Sequence, residues 1–155
     1  MTQVMMLQPP ALDLDRILNV SHPVGPRTAP RVVNERSDVE AVQRLIALAA
    51  RPASARDGFT LPAPTGTFDV LTGYWVLRAQ MDQLRHSPGE VVDGVVSPAR
   101  DGRSGYGAGT YWTIVLLNYW AKGQSAAEWA ALLQGQPAGG VLSGIRVPAG
   151  APHIR

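Results

Sequence analysis

The chain has no cysteine, which excludes disulfides and thiolate metal sites and leaves the redox compartment undecided. It is poor in charge: Asp, Glu, Lys and Arg make up 17% of 155 residues, against about 25% in typical soluble domains. Part of the uncharged surface is therefore expected to face a protein partner. Lysine is almost missing as well, with Lys122 alone among 14 basic residues. No dense basic run accompanies the net charge of +2, so nucleic-acid binding is not expected. The longest apolar run, 111–121, falls well short of the roughly 20 residues that a membrane span needs. The first ten residues lack a basic segment followed by an apolar one, and no secretory signal is expected there.

What the chain does contain is proline (13), glycine (16) and a few strongly patterned segments. Residues 1–36 are Pro-rich and read as an irregular N-terminal segment, with Leu12–Leu18 as the one candidate for a helical turn or short strand. Ser37 followed by Glu40 forms a capping-box pattern, and Val39, Val42, Ile46 and Ala49 recur at helical spacing until Pro52. Residues 52–66 read as a long loop. Asp69 is an N-cap candidate for a second helix, whose stripe Val70, Tyr74, Leu77, Met81 and Leu84 is expected to be buried. Asp93-Gly94 between paired valines predicts a tight hairpin. After the glycine-dense stretch 101–109, Tyr111–Ala121 is assigned as a buried helix. Ser125 and Glu128 open a fourth helix, with Trp129, Leu132 and Leu133 as its apolar face. Residues 136–155 form a Gly- and Pro-rich tail. No period of 20 to 50 residues repeats along the chain.

Catalytic constellations are absent from the sequence. His22, His86 and His153 are far apart and match no metal-ligand spacing. There is no Gly-x-Ser-x-Gly elbow, and the 101–109 segment lacks the Gly-Lys-Ser/Thr ending of a phosphate loop. Asp69, Glu90, Asp93 and Asp101 could in principle form a glycosidase pair, but Asp69 and Asp93 sit at turn and cap positions. The expectation is thus no catalytic residue, no metal and no cofactor. Six aromatic residues cluster between Tyr106 and Trp129. Tyr106, Tyr111 and Trp120, with Arg103, are the expected ligand- or partner-binding residues, since exposed Tyr and Trp dominate recognition surfaces.

Asp38-Val39-Glu40-Ala41-Val42-Gln43-Arg44-Leu45-Ile46, then Gly66-Thr67-Phe68-Asp69 leading to Thr72 and Gln80, resemble the helix, turn and helix of peptidoglycan-binding-like modules. Val92-Asp93-Gly94-Val95-Val96-Ser97-Pro98, leading to Trp112-Thr113, looks like a second copy of the turn-into-helix element. Ala79 stands where such modules carry an aromatic core residue, with Trp75 supplying volume. The resemblance implies a mainly α fold, a bundle of three to four helices over 37–135 with insertions at 52–66 and 101–109, short hairpin turns and irregular ends. It makes Asp38, Val42, Gln43, Gly66, Asp69, Thr72, Gln80, Asp93 and Gly94 determinants of the fold. It also implies a non-enzymatic binding or structural protein of a cell-envelope, secretion-system or phage-tail-like assembly, with protein partners and peptidoglycan contact, made without a signal peptide and particle-associated. The alternatives are a cell-wall hydrolase or effector using Glu90, Asp93 or His86, and an adaptor or toxin-neutralising partner.

Overall fold

The computed structural model describes residues 1–107, 109–134 and 136. Gly135 and the tail beyond 136 lie outside the described residues. In chain order the elements are strands β1 (Gln3–Ala11) and β2 (Leu14–Asn19), then helices α1 (Arg36–Ala49), α2 (Arg51–Asp57), α3 (Val70–Leu84), α4 (Thr113–Gln124) and α5 (Ala126–Leu133). This overturns the expected bundle of three to four helices with irregular ends: the fold is a small mixed domain in which five helices pack with a two-stranded antiparallel sheet.

Leu12–Leu18, expected as a helical turn or short strand, covers most of β2, but β1 and the pairing escaped sequence reading because the turn is unorthodox. Leu12 and Asp13 both take positive φ (53° and 59°), the geometry of a tight hairpin that normally selects Asn-Gly. β1 also carries Pro9 and Pro10, which only an edge strand tolerates. The strands pair from Gln3 with Asn19 to Met6 with Arg16, and the register shifts before Ala11 meets Leu14. β2 supplies Leu14, Ile17 and Leu18 to one core shared with Val39, Val42, Leu45 and Ile46 of α1, Trp75 and Val76 of α3, Ile114 and Leu117 of α4, and Trp129 of α5. Asn118 of α4 joins three elements. Its Oδ1 accepts from Leu18 N–H and from the Trp129 indole, both at 2.9 Å, and its Nδ2 donates to the Leu18 carbonyl at 2.9 Å.

The helix starts follow local chemistry, with corrections. The cap of α1 is Glu35, whose carboxylate accepts from Ser37 N–H and Oγ–H; Glu40, expected to reach back, instead pairs with Arg36. Pro52 does not end helical structure but sits in the first turn of α2, where its missing N–H costs nothing. Asp69 caps α3 through Thr72 N–H at 2.8 Å, and Ser125 caps α5. The largest correction concerns the face of α3. It buries Thr72, Trp75, Val76 and Gln80, while Val70 is 91% and Met81 55% exposed. The expected Asp93-Gly94 hairpin has no paired strands; Val96 forms a single bridge to Val24 instead.

Candidate functional site

Two buried glutamines build the platform of the site. Gln43, in the middle of α1, accepts from Gly66 N–H at 3.0 Å and donates to Thr67 O, Thr65 Oγ1 and Thr72 Oγ1 at 3.0, 3.3 and 3.1 Å. Gln80, near the end of α3, repeats the arrangement. It accepts from Asp93 and Gly94 N–H at 3.2 and 2.9 Å, and donates to Val95 O, Asp93 Oδ1 and Thr113 Oγ1 at 3.1, 3.3 and 3.0 Å. In each case an oxygen-bearing side chain opens the turn and takes the N–H two residues on, Thr65 from Thr67 and Asp93 from Val95. In each case too the glycine lies in the left-handed region, with φ of 78° and 74°. The chain thus contains the same helix–glutamine–turn–threonine clamp twice. It is not a periodic sequence repeat, because turns and insertions of different length separate the parts.

Of the residues expected to determine the fold, Gln43, Gly66, Thr72, Gln80, Asp93 and Gly94 lie in these clamps and Asp69 bonds to one of them, while Val42 is a core residue of α1. Asp69 accepts Thr72 Oγ–H and N–H, which hold its carboxyl below the ordinary range. Asp38, fully buried, accepts from Ser21 and His22 N–H and fixes the chain entering α1. His22, Glu35 and Asp38 bring potential metal-ligand atoms within 4.8 Å of one another. The Asp38 oxygens already serve these backbone donors, and the Met1 ammonium pairs with Glu35 at 2.9 Å and Asp38 at 3.6 Å. Protein donors thus already engage this cluster. Glu35 is held down to about 2, chiefly by the Ser37 hydroxyl.

Beyond the second clamp, the glycine-rich segment folds back on itself. Trp112 N–H donates to Ser104 O at 3.0 Å, and Gly105 lies so close to Thr110 that a Cβ there would come within 1.7 Å of its carbonyl oxygen. Only glycine permits that approach. The fold-back sets the Tyr106 ring against Trp112, centroids 4.9 Å apart at 54°. A cavity opens on each side of the pair. One, of about 990 Å³, is lined by Arg100, Arg103, Tyr106, Tyr111 and Trp112 among others. The second, of about 300 Å³, lies over the Gln80 clamp and is lined by Glu90, Asp93, Ser97, Tyr106 and Trp112 among others.

Of the expected binding residues, Tyr106, Tyr111 and Arg103 therefore share one cavity. Trp120 does not join them; it lines a separate groove along α3 with Tyr74, Arg78, Met81 and Tyr119. His86, grouped with Glu90 and Asp93 in the hydrolase alternative, also lines that separate groove.

The sequence named Trp112 in the aromatic cluster and the second turn-into-helix element, and Glu90 among the carboxylates, but showed the burial of neither polar group. The Trp112 ring lines both cavities, and among the described residues its buried Nε1–H has no partner. Glu90 is buried, and among the described residues its Oε2 has no hydrogen-bond partner. Burial raises the Glu90 carboxyl above its ordinary range, against the opposing pull of Tyr111 N–H, the Tyr106 hydroxyl and Val91 N–H. Burial likewise raises the Tyr106 phenol. Among the described residues no helix is long and apolar enough to cross a membrane. Against protein-family models, curated proteins and solved structures the chain finds no match, so its own geometry carries the functional reading.

Proposed function

We propose that the chain is a non-enzymatic binding or structural protein of a cell-envelope-associated, secretion-system or phage-tail-like assembly, with peptidoglycan as the ligand to test first. The observation that carries this reading is the doubled glutamine clamp. The residues behind the resemblance, Gln43 with Gly66 and Thr72, and Gln80 with Gly94 and Thr113, are partners of one another. Asp69 and Asp93 serve caps and turns in the same clamps, which favours binding over catalysis. The cleft around Tyr106 and Trp112 supplies an aromatic surface with Arg103 at one side, suited to stacking and polar recognition. Co-sedimentation with purified peptidoglycan is the test: the native chain is expected in the pellet, and Tyr106→Ala with Arg103→Ala in the supernatant. A native chain that stays in solution sinks the glycan version. The assembly version then stands on recovery of a stoichiometric complex by affinity isolation from the native source, which also identifies an adaptor or toxin-neutralising role.

One observation favours a second reading, a cell-wall hydrolase: Glu90, whose raised pKa suits a general acid, shares a cavity with Asp93. Zymography decides. Clearing by the native chain that is lost in both Glu90→Gln and Asp93→Asn would replace the binding reading.

A further inference from the structure

The outward side of α3 carries an apolar stripe that the rest of the fold leaves uncovered. Val70, Tyr74, Leu77, Met81 and Leu84 follow one another at intervals of 4, 3, 4 and 3 residues, the spacing of a two-helix seam. Core packing uses the opposite side of the helix, Thr72, Trp75, Val76 and Gln80. Val70, Leu77, Met81 and Leu84 are exposed, and Tyr74 is half-buried against Phe59. Open cavities border the stripe at both ends. One, of about 520 Å³, lies beside Phe68 and Val70, and the other, of about 910 Å³, beside Met81 and Tyr119; Tyr74 and Leu77 line both. A continuous apolar face of this kind marks an interaction surface.

We propose that this stripe is a homodimer seam, in which α3 of one copy packs antiparallel on α3 of a second copy about a two-fold axis at Leu77. Leu77 stands midway, seven residues from Val70 and seven from Leu84, so reversing the helix sets apolar positions against apolar positions. Leu77 meets its own copy, Val70 meets the partner's Leu84, and Tyr74 meets the partner's Met81, a thioether on an aromatic ring. The charges at the two ends commit the face to this occupant. Asp69 and Arg85 stand eight residues to either side of Leu77 and line the cavities at opposite ends of the stripe. Both Thr72 donors use Asp69 Oδ1, which leaves Oδ2 for a further donor. Arg85 is exposed and only loosely held by Asp82 at 3.9 Å. Antiparallel pairing brings each Arg85 to the partner's Asp69 and opposes the two helix dipoles favourably. A parallel pair would set like charges together at both ends, and a foreign helix of one sign would satisfy one end and be repelled at the other. The 15 residues of α3 span about 22 Å. The seam is therefore small, its affinity is micromolar or weaker, and the dilute chain unfolds from the monomer.

The stripe includes neither Tyr106 nor Arg103, so self-association and peptidoglycan binding succeed or fail separately. The test is analytical ultracentrifugation of the full chain from about 1 µM to about 1 mM, with the mass expected to rise from monomer to dimer. Met81→Asp places a charge on the seam in both copies and is expected to raise the dissociation constant at least about tenfold, while the dilute variant melts like the native chain. The chain has no cysteine, so Leu77→Cys introduces a single thiol. A short bis-maleimide is expected to join two such chains and to leave Arg44→Cys, at an exposed position on α1, as monomer. The end charges are tested by a double-mutant cycle. Asp69→Asn keeps a good helix cap without the charge. Arg85→Gln is expected to weaken self-association about threefold in the native background and to have no further effect beside Asp69→Asn. The two residues lie about 24 Å apart along one helix, so coupling between them arises only across the seam. The antiparallel seam is overturned if the chain stays monomeric up to about 1 mM, if Met81→Asp dimerises like the native chain, if Leu77→Cys cross-links no better than Arg44→Cys, or if Arg85→Gln acts equally in both backgrounds.

Discussion

At the scale of single residues, the polar side chains that look idle in the sequence carry the most specific structural work. Gln80 is 1% exposed and satisfies two backbone N–H groups, one carbonyl, one carboxylate oxygen and one hydroxyl. Gln80→Leu keeps the volume and removes all five bonds, leaving buried backbone groups unpaired, each worth about 1–3 kcal/mol. A loss of about 2–4 kcal/mol in urea unfolding is expected; a loss below about 0.5 kcal/mol would show that the second clamp is incidental. Glu90 carries the opposite sign. Its folded pKa is raised by burial above the ordinary value of 4.5, so the protonated form is the one the fold favours. Its contribution is complete below the ordinary value and is lost as pH rises through the raised one. Glu90→Gln mimics the protonated form at every pH. Its melting temperature should therefore match the native chain near pH 4 and exceed it increasingly toward pH 7. A constant difference across that range would contradict the burial of this carboxyl.

At the scale of elements, the outcome turns on which face of each helix is buried. α1 was legible: its apolar stripe is monotonous, and Val39, Val42 and Ile46 are all buried. α4 was also read correctly as a helix, and the caps at Asp69 and Ser125 announced α3 and α5. The face of α3 was not legible, because its buried side includes Thr72 and Gln80. Pattern reading counts these as polar, although the clamps satisfy their polar groups internally. Its apolar residues Leu77 and Met81 meanwhile line an open groove with Tyr119. The cavity at Glu90 was illegible for a related reason: it needs the fold-back at Gly105 to bring the Tyr106 ring against Trp112 and the Tyr106 hydroxyl to Val91 N–H, 15 residues away in the chain, a pairing that no motif marks. A pair of substitutions checks the face assignments. Val42→Asp places a charge at a position with 0% exposure and should cost about 3–5 kcal/mol or unfold the chain. Val70→Asp, at 91% exposure, should change stability by less than about 0.5 kcal/mol. Comparable losses at both positions would restore the stripe expected from the sequence.

At the scale of the whole molecule, the hairpin decides whether this is a helical body with an appendage or one cooperative unit. Leu14, Ile17 and Leu18 enter the same core as α1, α4 and α5. The outer edge of β2 is held by Asn118, which takes the Leu18 N–H and carbonyl at 2.9 Å each. Asn19 makes a second tie from the same strand, donating to Ala99 O at 3.0 Å and accepting from Ala99 N–H at 3.1 Å. Detaching the hairpin would expose apolar core and break the two Leu18–Asn118 and two Asn19–Ala99 hydrogen bonds, so it has no cheap route to open alone. Native-state hydrogen exchange should therefore give the amides of Ile17 and Leu18 the same opening free energy as those of Leu45 and Ile46 in α1, within about 1 kcal/mol. Asn118→Leu should lower both sets together, since the side chain belongs to the shared core and not to the strand. Hairpin amides that open several-fold more readily than α1 in the native chain, or that alone respond to Asn118→Leu, would make the sheet a separable unit and return the helices to the status of an independent body.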